Sequence, residues 1–293
     1  MPEVLMRLSL YWNPSAGDRI PLDEITRAIT RAGHVVAGIL QSDADAADAL
    51  RGHVDALVAA GGDGTVARAA RSIFGAALPI AILPLGTANN IATSLGINDD
   101  PFAAIAEWGR QSVVRIDVGI VTDDVGDRLF IEGVGTGLVP RGINRGQGAA
   151  RQHESASAEV EWAREMFLGA LSELATQPSR LRIDGEDVSG DYLLVEVLNI
   201  ASVGPRLRLS AETTPADGLL SVVTASEVDR GAIRVHLERP SDDRRDHAWL
   251  KSWRARHVEV SGWHEYHVDD EVHVSASGEL AIAIRPSCLA VLA

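Results

Sequence analysis

The chain has 293 residues, 46% of them hydrophobic, 41 acidic against 27 basic side chains, and a formal net charge of −14. That length allows two modest domains with cores of their own, and the composition is that of a globular protein rather than a disordered one. The acidic balance excludes nucleic acid as a partner, because a phosphate backbone needs a basic footprint, and it disfavours broad adhesion to an anionic membrane.

No apolar run reaches the roughly 18 residues of a spanning helix. The start, Met1-Pro2-Glu3-Val4, lacks the basic segment of a secretion signal, and the single Cys288 fits a reducing cytoplasm. The expected location is therefore cytoplasmic.

The first third alternates strand and helix. Val4–Trp12 reads as a strand, Pro21–Ala32 as a helix with Asp23 and Glu24 in its first turn, Val35–Leu40 as a second strand and Ala44–Leu50 as a helix. The apolar run Val54–Ala60 then leads into Gly61-Gly62-Asp63-Gly64-Thr65, and Val66–Arg71 follows as a helix former. Strand, glycine turn and helix together leave backbone N–H groups at a helix N-terminus, where hydrogen bonding and the helix dipole attract phosphate. Thr65 is placed as the N-cap.

The pattern repeats. Leu78–Leu83 is strand-like, Pro84-Leu85-Gly86-Thr87-Ala88-Asn89-Asn90 breaks it, and Ile91–Leu95 resumes a helix. A Gly-Gly-Asp-Gly tract alone can be a plain tight turn. Two adjacent polar glycine turns suggest a nucleotide-binding kinase. Neither is a Walker loop, since the only lysine is Lys251, and the G-x-G-x-x-G dinucleotide signature is absent from this turn. With a further helix from Pro101 to Trp108, the βαβα order predicts a doubly wound, mostly parallel sheet with ligands at the strand carboxyl ends.

From about Val113 the texture becomes β-rich. Val113–Val121 and Arg128–Val134 alternate like paired strands, with Gly133, Gly135 and Gly137 suggesting a bend or bulge, and Gly142–Glu154 reads as a loose loop. Ala158–Leu174 has helical periodicity. Strand candidates follow at Leu181–Ile183, Tyr192–Asn199, Leu219–Thr224, Ala255–Val260, Val272–Ala276 and Leu280–Ile284. The expected fold is α/β: a doubly wound nucleotide-binding domain over residues 1–120, then a β-rich, sandwich-like acceptor-binding domain over 121–293.

GGDGT followed by PLGTANN resembles the catalytic domain of diacylglycerol kinases and the related bacterial lipid kinases. NAD kinases share the first motif; the second favours the lipid-kinase branch. Asn13-Pro14-Ser15-Ala16-Gly17 is similar to the family's opening loop, Pro215-Ala216-Asp217-Gly218-Leu219 to its P-x-A-x-D-G-x-L segment, and Val268-Asp269-Asp270-Glu271 to its D-G-E segment. Ile284–Leu292 resembles its closing strand, which implies a return of that strand to the first domain.

The resemblance implies ATP as cosubstrate, held by Asn13, Gly61, Gly62, Asp63, Gly64, Thr65, Gly86, Thr87 and Asn89, with Mg²⁺ near Asp63 and Asp117. Asn90 stands where the family has an acid, which removes one charge that would attract the ion. Asp269 and Glu271 are implied as the catalytic carboxylates. Two residues apart in a strand they share a face, so one could take the acceptor proton while the other orients it. The alternative is a solvated acidic turn, and Asp270, in place of the usual glycine, leaves the turn geometry open. Thr214, Asp217 and Leu219 resemble a structural cation site, or else a plain Asp-Gly turn.

The nine histidines lack zinc spacing, and no G-x-S-x-G nucleophile motif occurs. An apolar groove for an acyl chain could use Phe130, Ile131, Leu138, Val139, Trp162 and Phe167, which ordinary core packing explains equally well. Arg141, Arg145 and Arg151 could touch headgroups, and Glu132 replaces the family's usual asparagine. The expected protein is a kinase of lipid metabolism and phospholipid biosynthesis. It would meet a lipid substrate through transient, peripheral membrane contact, with a homodimer as the assembly to test. NAD kinase and a non-catalytic nucleotide-binding protein are the alternatives.

Overall fold

The computed structural model describes residues 5–14, 20–41, 53–147, 155–239 and 250–293. The chain divides into two compact units, residues 1–116 with 287–293 and residues 117–286. The expected helix at 44–50, the end of the opening loop at 15–17, and Arg151 lie outside the described residues.

The first unit is built on a parallel sheet. Its strands run in the order Val35–Leu40, Arg7–Trp12, Ala56–Gly61, Ile80–Pro84, and Val291-Leu292 close the row against Ile80 and Ala81. Ala56–Gly61 and Ile80–Pro84 are buried at every position, as expected of parallel strands covered on both faces. The helix Leu22–Arg31 turns Ile25 and Ile29, one turn apart, onto Leu8, Leu10, Val58 and Leu83. Each such fully buried side chain contributes about 1.5–3 kcal/mol.

The second unit is a β-sandwich with a helical layer. One antiparallel sheet runs Lys251–Ala255, Leu220–Ala225, Leu194–Leu198, Gly133–Gly137, Glu265–Val268, Glu271–Val274. The facing strands are Gln177–Ile183, His257–Ser261 and residues 279–283. Val134, Val195, Val197, Val222 and Tyr266 meet Leu181, Ile183, Val258, Val260 and Ile282 between the layers. Leu194, Leu198 and Val223, of opposite parity, point the other way onto the helices Leu138–Gly146, Ala156–Glu173 and Arg230–Glu238. The period of two in side-chain direction thus makes the sheet the middle of three layers.

Several expectations change. Gly133 and Gly135 lie within a fully buried strand rather than a bend, while Gly137, its last residue, turns at φ 81° into the helix that follows. Residues 142–146, expected as the start of a loose loop, belong to the helix Leu138–Gly146, which buries Leu138, Val139 and Pro140. Ala255–Val260 is two strands parted at Arg256. The strand Glu265–Val268 and the helix Arg230–Glu238 went unanticipated. Phe130, Leu138, Val139 and Phe167 are buried in the two cores of this unit, as ordinary core packing explains, while Ile131 is buried outside those cores and Trp162 is half-buried.

Candidate active site

In the first unit the two glycine turns sit at the carboxyl ends of neighbouring parallel strands and pack backbone to backbone. A Cβ on Gly86 would lie 2.3 Å from the Gly62 Cα, and one on Gly62 3.1 Å from the Gly86 Cα. The Leu85 amide donates to the Gly61 carbonyl at 3.0 Å, so the loops form one platform.

The helix Asp63–Ser72 starts two residues before the expected cap. Gly62 is its N-cap, and Thr65 lies inside the first turn, buried, with its hydroxyl accepting from Asn13 Nδ2 at 3.2 Å. Asp63 and Gly64, half-buried, open that helix. The Thr65 amide donates to the Gly62 carbonyl at 2.9 Å, and the positive end of the helix dipole makes this end a place for anionic oxygen.

The Asp63 carboxylate reaches across to the second loop. Its Oδ2 accepts from the Asn90 amide at 3.0 Å and its Oδ1 from the Ile91 amide at 2.9 Å, capping the helix Asn90–Ser94. Asn89, in the left-handed region at φ 51°, stands at the N-cap position of that helix but does not cap it with its side chain. Instead its side chain folds back, accepting from the Gly86 amide at 3.0 Å and donating to the Gly86 carbonyl at 2.9 Å. Thr87 stands half-buried in this loop.

In the second unit, Asp117 is fully buried and clamped to the Pro215–Leu219 segment. Its amide donates to the Pro215 carbonyl at 2.7 Å, and its Oδ2 accepts from the Gly218 amide at 2.7 Å. Asn199 Nδ2 donates to the backbone carbonyls of Asp117 and Ile131, both at 3.0 Å.

The expected cation cradle at Thr214, Asp217 and Leu219 does not have its ligands open. Asp217 Oδ1 accepts from the Leu219 amide at 3.0 Å, its Oδ2 is paired with the Arg254 guanidinium, and the Leu219 carbonyl accepts from Arg254 at 3.4 Å. Thr214 is exposed. The residues present do not fit a metal ion there. Among the described residues no group of three or more His, Cys, Asp or Glu side chains could hold one.

Asp269 and Glu271 do not share a strand face. Asp269 and Asp270 form the turn between Glu265–Val268 and Glu271–Val274. The left-handed residue is Asp269, at φ 52°, not Asp270, so the loss of the usual glycine at 270 forces no strained backbone. Asp269 is buried, and its Oδ1 accepts from the Ile131 and Glu132 amides at 3.0 and 2.8 Å. Glu271 stays exposed, with its Oε2 3.9 Å from His273 Nε2.

Behind the turn lies a couple that the sequence reading missed. Glu196, Gly135 and His267 form one cross-strand row. The missing side chain at Gly135, where a Cβ would come within 2.2 Å of the Glu196 carboxylate, lets the outer two meet at 2.8 Å. His267 Nδ1 is 2.8 Å from the Asp269 carbonyl, which only accepts, so this nitrogen carries a proton. Glu196 holds the His267 pKa above its ordinary value, and burial pushes the Glu196 carboxyl up. A single acid inside the apolar run Leu194–Leu198 was the signal available in the sequence.

The diacylglycerol kinase catalytic domain model matches residues 8–121, and that of the YegS C-terminal NAD kinase beta sandwich-like domain matches residues 144–293. The chain belongs to this lipid kinase family. A diacylglycerol kinase of Mycobacterium tuberculosis (strain H37Rv) is 31% identical over 235 residues, 76% of this chain and 74% of that protein. A "Probable lipid kinase YegS-like" of Klebsiella pneumoniae (strain 342) is 32% identical over 180 residues, and the chain spans only 57% of its length. In fold, a diacylglycerol kinase structure from Bacillus anthracis str. Sterne matches with TM-score 0.71 and 18% identity over 98% of this chain and 96% of that one. An ATP-bound NAD kinase from Archaeoglobus fulgidus matches at 0.50 and 15% identity over 98% and 92%.

Proposed function

We propose that this lipid kinase transfers the γ-phosphoryl group of ATP to a lipid hydroxyl, with diacylglycerol the first acceptor to test. The observation that carries the reading is the double glycine platform at the ends of adjacent parallel strands, braced by Asp63 and Asn89. The helix N-terminus that opens at this turn suits phosphate oxygen, and positioning is most of what phosphoryl transfer asks of a protein. Mg²⁺, held largely by nucleotide phosphates and water, would neutralise developing charge.

The carboxylates divide the remaining work. Asp269, fixed by two amides and a left-handed backbone, would orient the turn, and the exposed Glu271 is our choice for the group that receives the proton. As the acceptor oxygen bonds to the γ-phosphorus, its proton passes to Glu271, the bond to the bridging oxygen breaks, and ADP leaves. Among the described residues no helix is long and apolar enough to cross a membrane. With the net charge of −14, this favours brief, local contact of a cytoplasmic protein with its lipid surface.

The test is ADP release with ATP and Mg²⁺ against diacylglycerol, sphingoid, phosphatidylglycerol-type and NAD⁺ acceptors. Turnover on one lipid, lost in Glu271→Gln with ATP still bound, supports the reading. NADP⁺ formation would replace it with an NAD kinase, and ATP binding without turnover on any acceptor would leave a nucleotide-binding protein without this activity. Sedimentation of the same sample reads whether the chain dimerises.

A further inference from the structure

We propose that the guanidinium of Arg254 is a built-in cation for the Asp217 turn, so that this chain binds no divalent ion there and needs none to fold. This stands apart from the kinase reading. Leu220–Ala225 and Lys251–Ala255 pair antiparallel with Ser221 opposite Arg254, which puts the arginine one strand away from the turn. Its Nη1 donates to Ser221 Oγ and its Nη2 to Asp217 Oδ2, and Nη2 also lies 3.4 Å from the Leu219 carbonyl. Two of the three ligand candidates are therefore satisfied by one planar donor group, and Asp217 Oδ1 is satisfied by the Leu219 amide. A doubly charged ion at the same oxygens would face a fixed positive charge within a few ångströms.

The turn has a reason to be held. Its Gly218 amide and Pro215 carbonyl clamp the buried Asp117. Thr213 Oγ1 donates to Ser221 Oγ at 2.7 Å, tying the other end of the segment to the same hydroxyl. Arginine suits this task better than lysine, since its fork reaches a hydroxyl and a carboxylate together.

The experiment is thermal unfolding of the whole chain without nucleotide, in EDTA and then in excess Mg²⁺ or Ca²⁺. The wild type should unfold at one temperature in all three. Arg254→Met should unfold lower in EDTA and regain about 2–4 °C on adding the divalent ion, and Asp217→Asn in that background should remove the gain. A wild-type midpoint that falls in EDTA, or an Arg254→Met variant that regains nothing, overturns the proposal. Should Arg254→Met fail to fold, terbium luminescence on the wild type decides. No Asp217-dependent signal is the expected result, and a signal abolished by Asp217→Asn overturns the proposal.

Discussion

The Glu196–His267 couple predicts a pH dependence of stability whose sign can be worked out. In the unfolded chain these groups titrate at their ordinary values of 4.5 and 6.5. In the folded chain both values lie higher, so the native state keeps a proton that the unfolded state has released. Stability contributed by the couple is greatest at low pH. The His267 part is fully present below 6.5 and is lost as pH rises from there through the folded value. With one proton retained, the slope approaches about 1.4 kcal/mol per pH unit, or a fall of about 2–4 °C in the midpoint for each unit.

The assay is urea denaturation followed by tryptophan fluorescence in steps above pH 6.5, for the wild type and for a Glu196→Leu/His267→Leu double variant. The double variant removes both buried groups together, which is often tolerated, and should lose the slope. His267→Leu alone leaves Glu196 buried without its partner and should cost about 3–5 kcal/mol. Its Asp269 turn, now without the Nδ1 donor, should exchange its amides faster. If wild type and double variant share the same pH slope above neutrality, the retained proton does not exist and the argument fails.

Other consequences are separate. Gly86→Ala sets a Cβ against the Gly62 Cα at 2.3 Å and Asn89 Oδ1 at 2.8 Å; it should lose about 1–3 kcal/mol and most ATP binding, read by denaturation and nucleotide titration. Asp63→Asn keeps the shape but one acceptor fewer for the Asn90 and Ile91 amides, at about 1 kcal/mol, seen as faster hydrogen exchange in the helix Asn90–Ser94. Arg164 is buried and donates to the carbonyls of Pro205, His236 and Leu237. Arg164→Leu should therefore cost about 2–5 kcal/mol and melt the end of the helix Arg230–Glu238 first, with little change in the affinity of the glycine platform for ATP.

What could be read from the sequence follows the range of the forces. The platform was legible because its cause is local: an apolar run, then glycines, then helix formers, twice. Strand Val35–Leu40 declares itself as a short apolar run and helix Ala156–Glu173 by its period, for the same reason. The partners were not legible. Thr65 has the chemistry of an N-cap, and only the tertiary approach of the second loop shows Asp63 capping the helix Asn90–Ser94. Gly133, Gly135 and Gly137 look like a bend one at a time, yet Gly135 is a strand residue whose side-chain space is taken by the Glu196 carboxylate that reaches across to His267. The acidic stretch Asp269-Asp270-Glu271 shows the limit most sharply. Period two in sequence would put Asp269 and Glu271 on one face. The tight turn instead buries the first against the Ile131 and Glu132 amides and leaves the second exposed, because alternation holds only along a strand and the chain reverses between them.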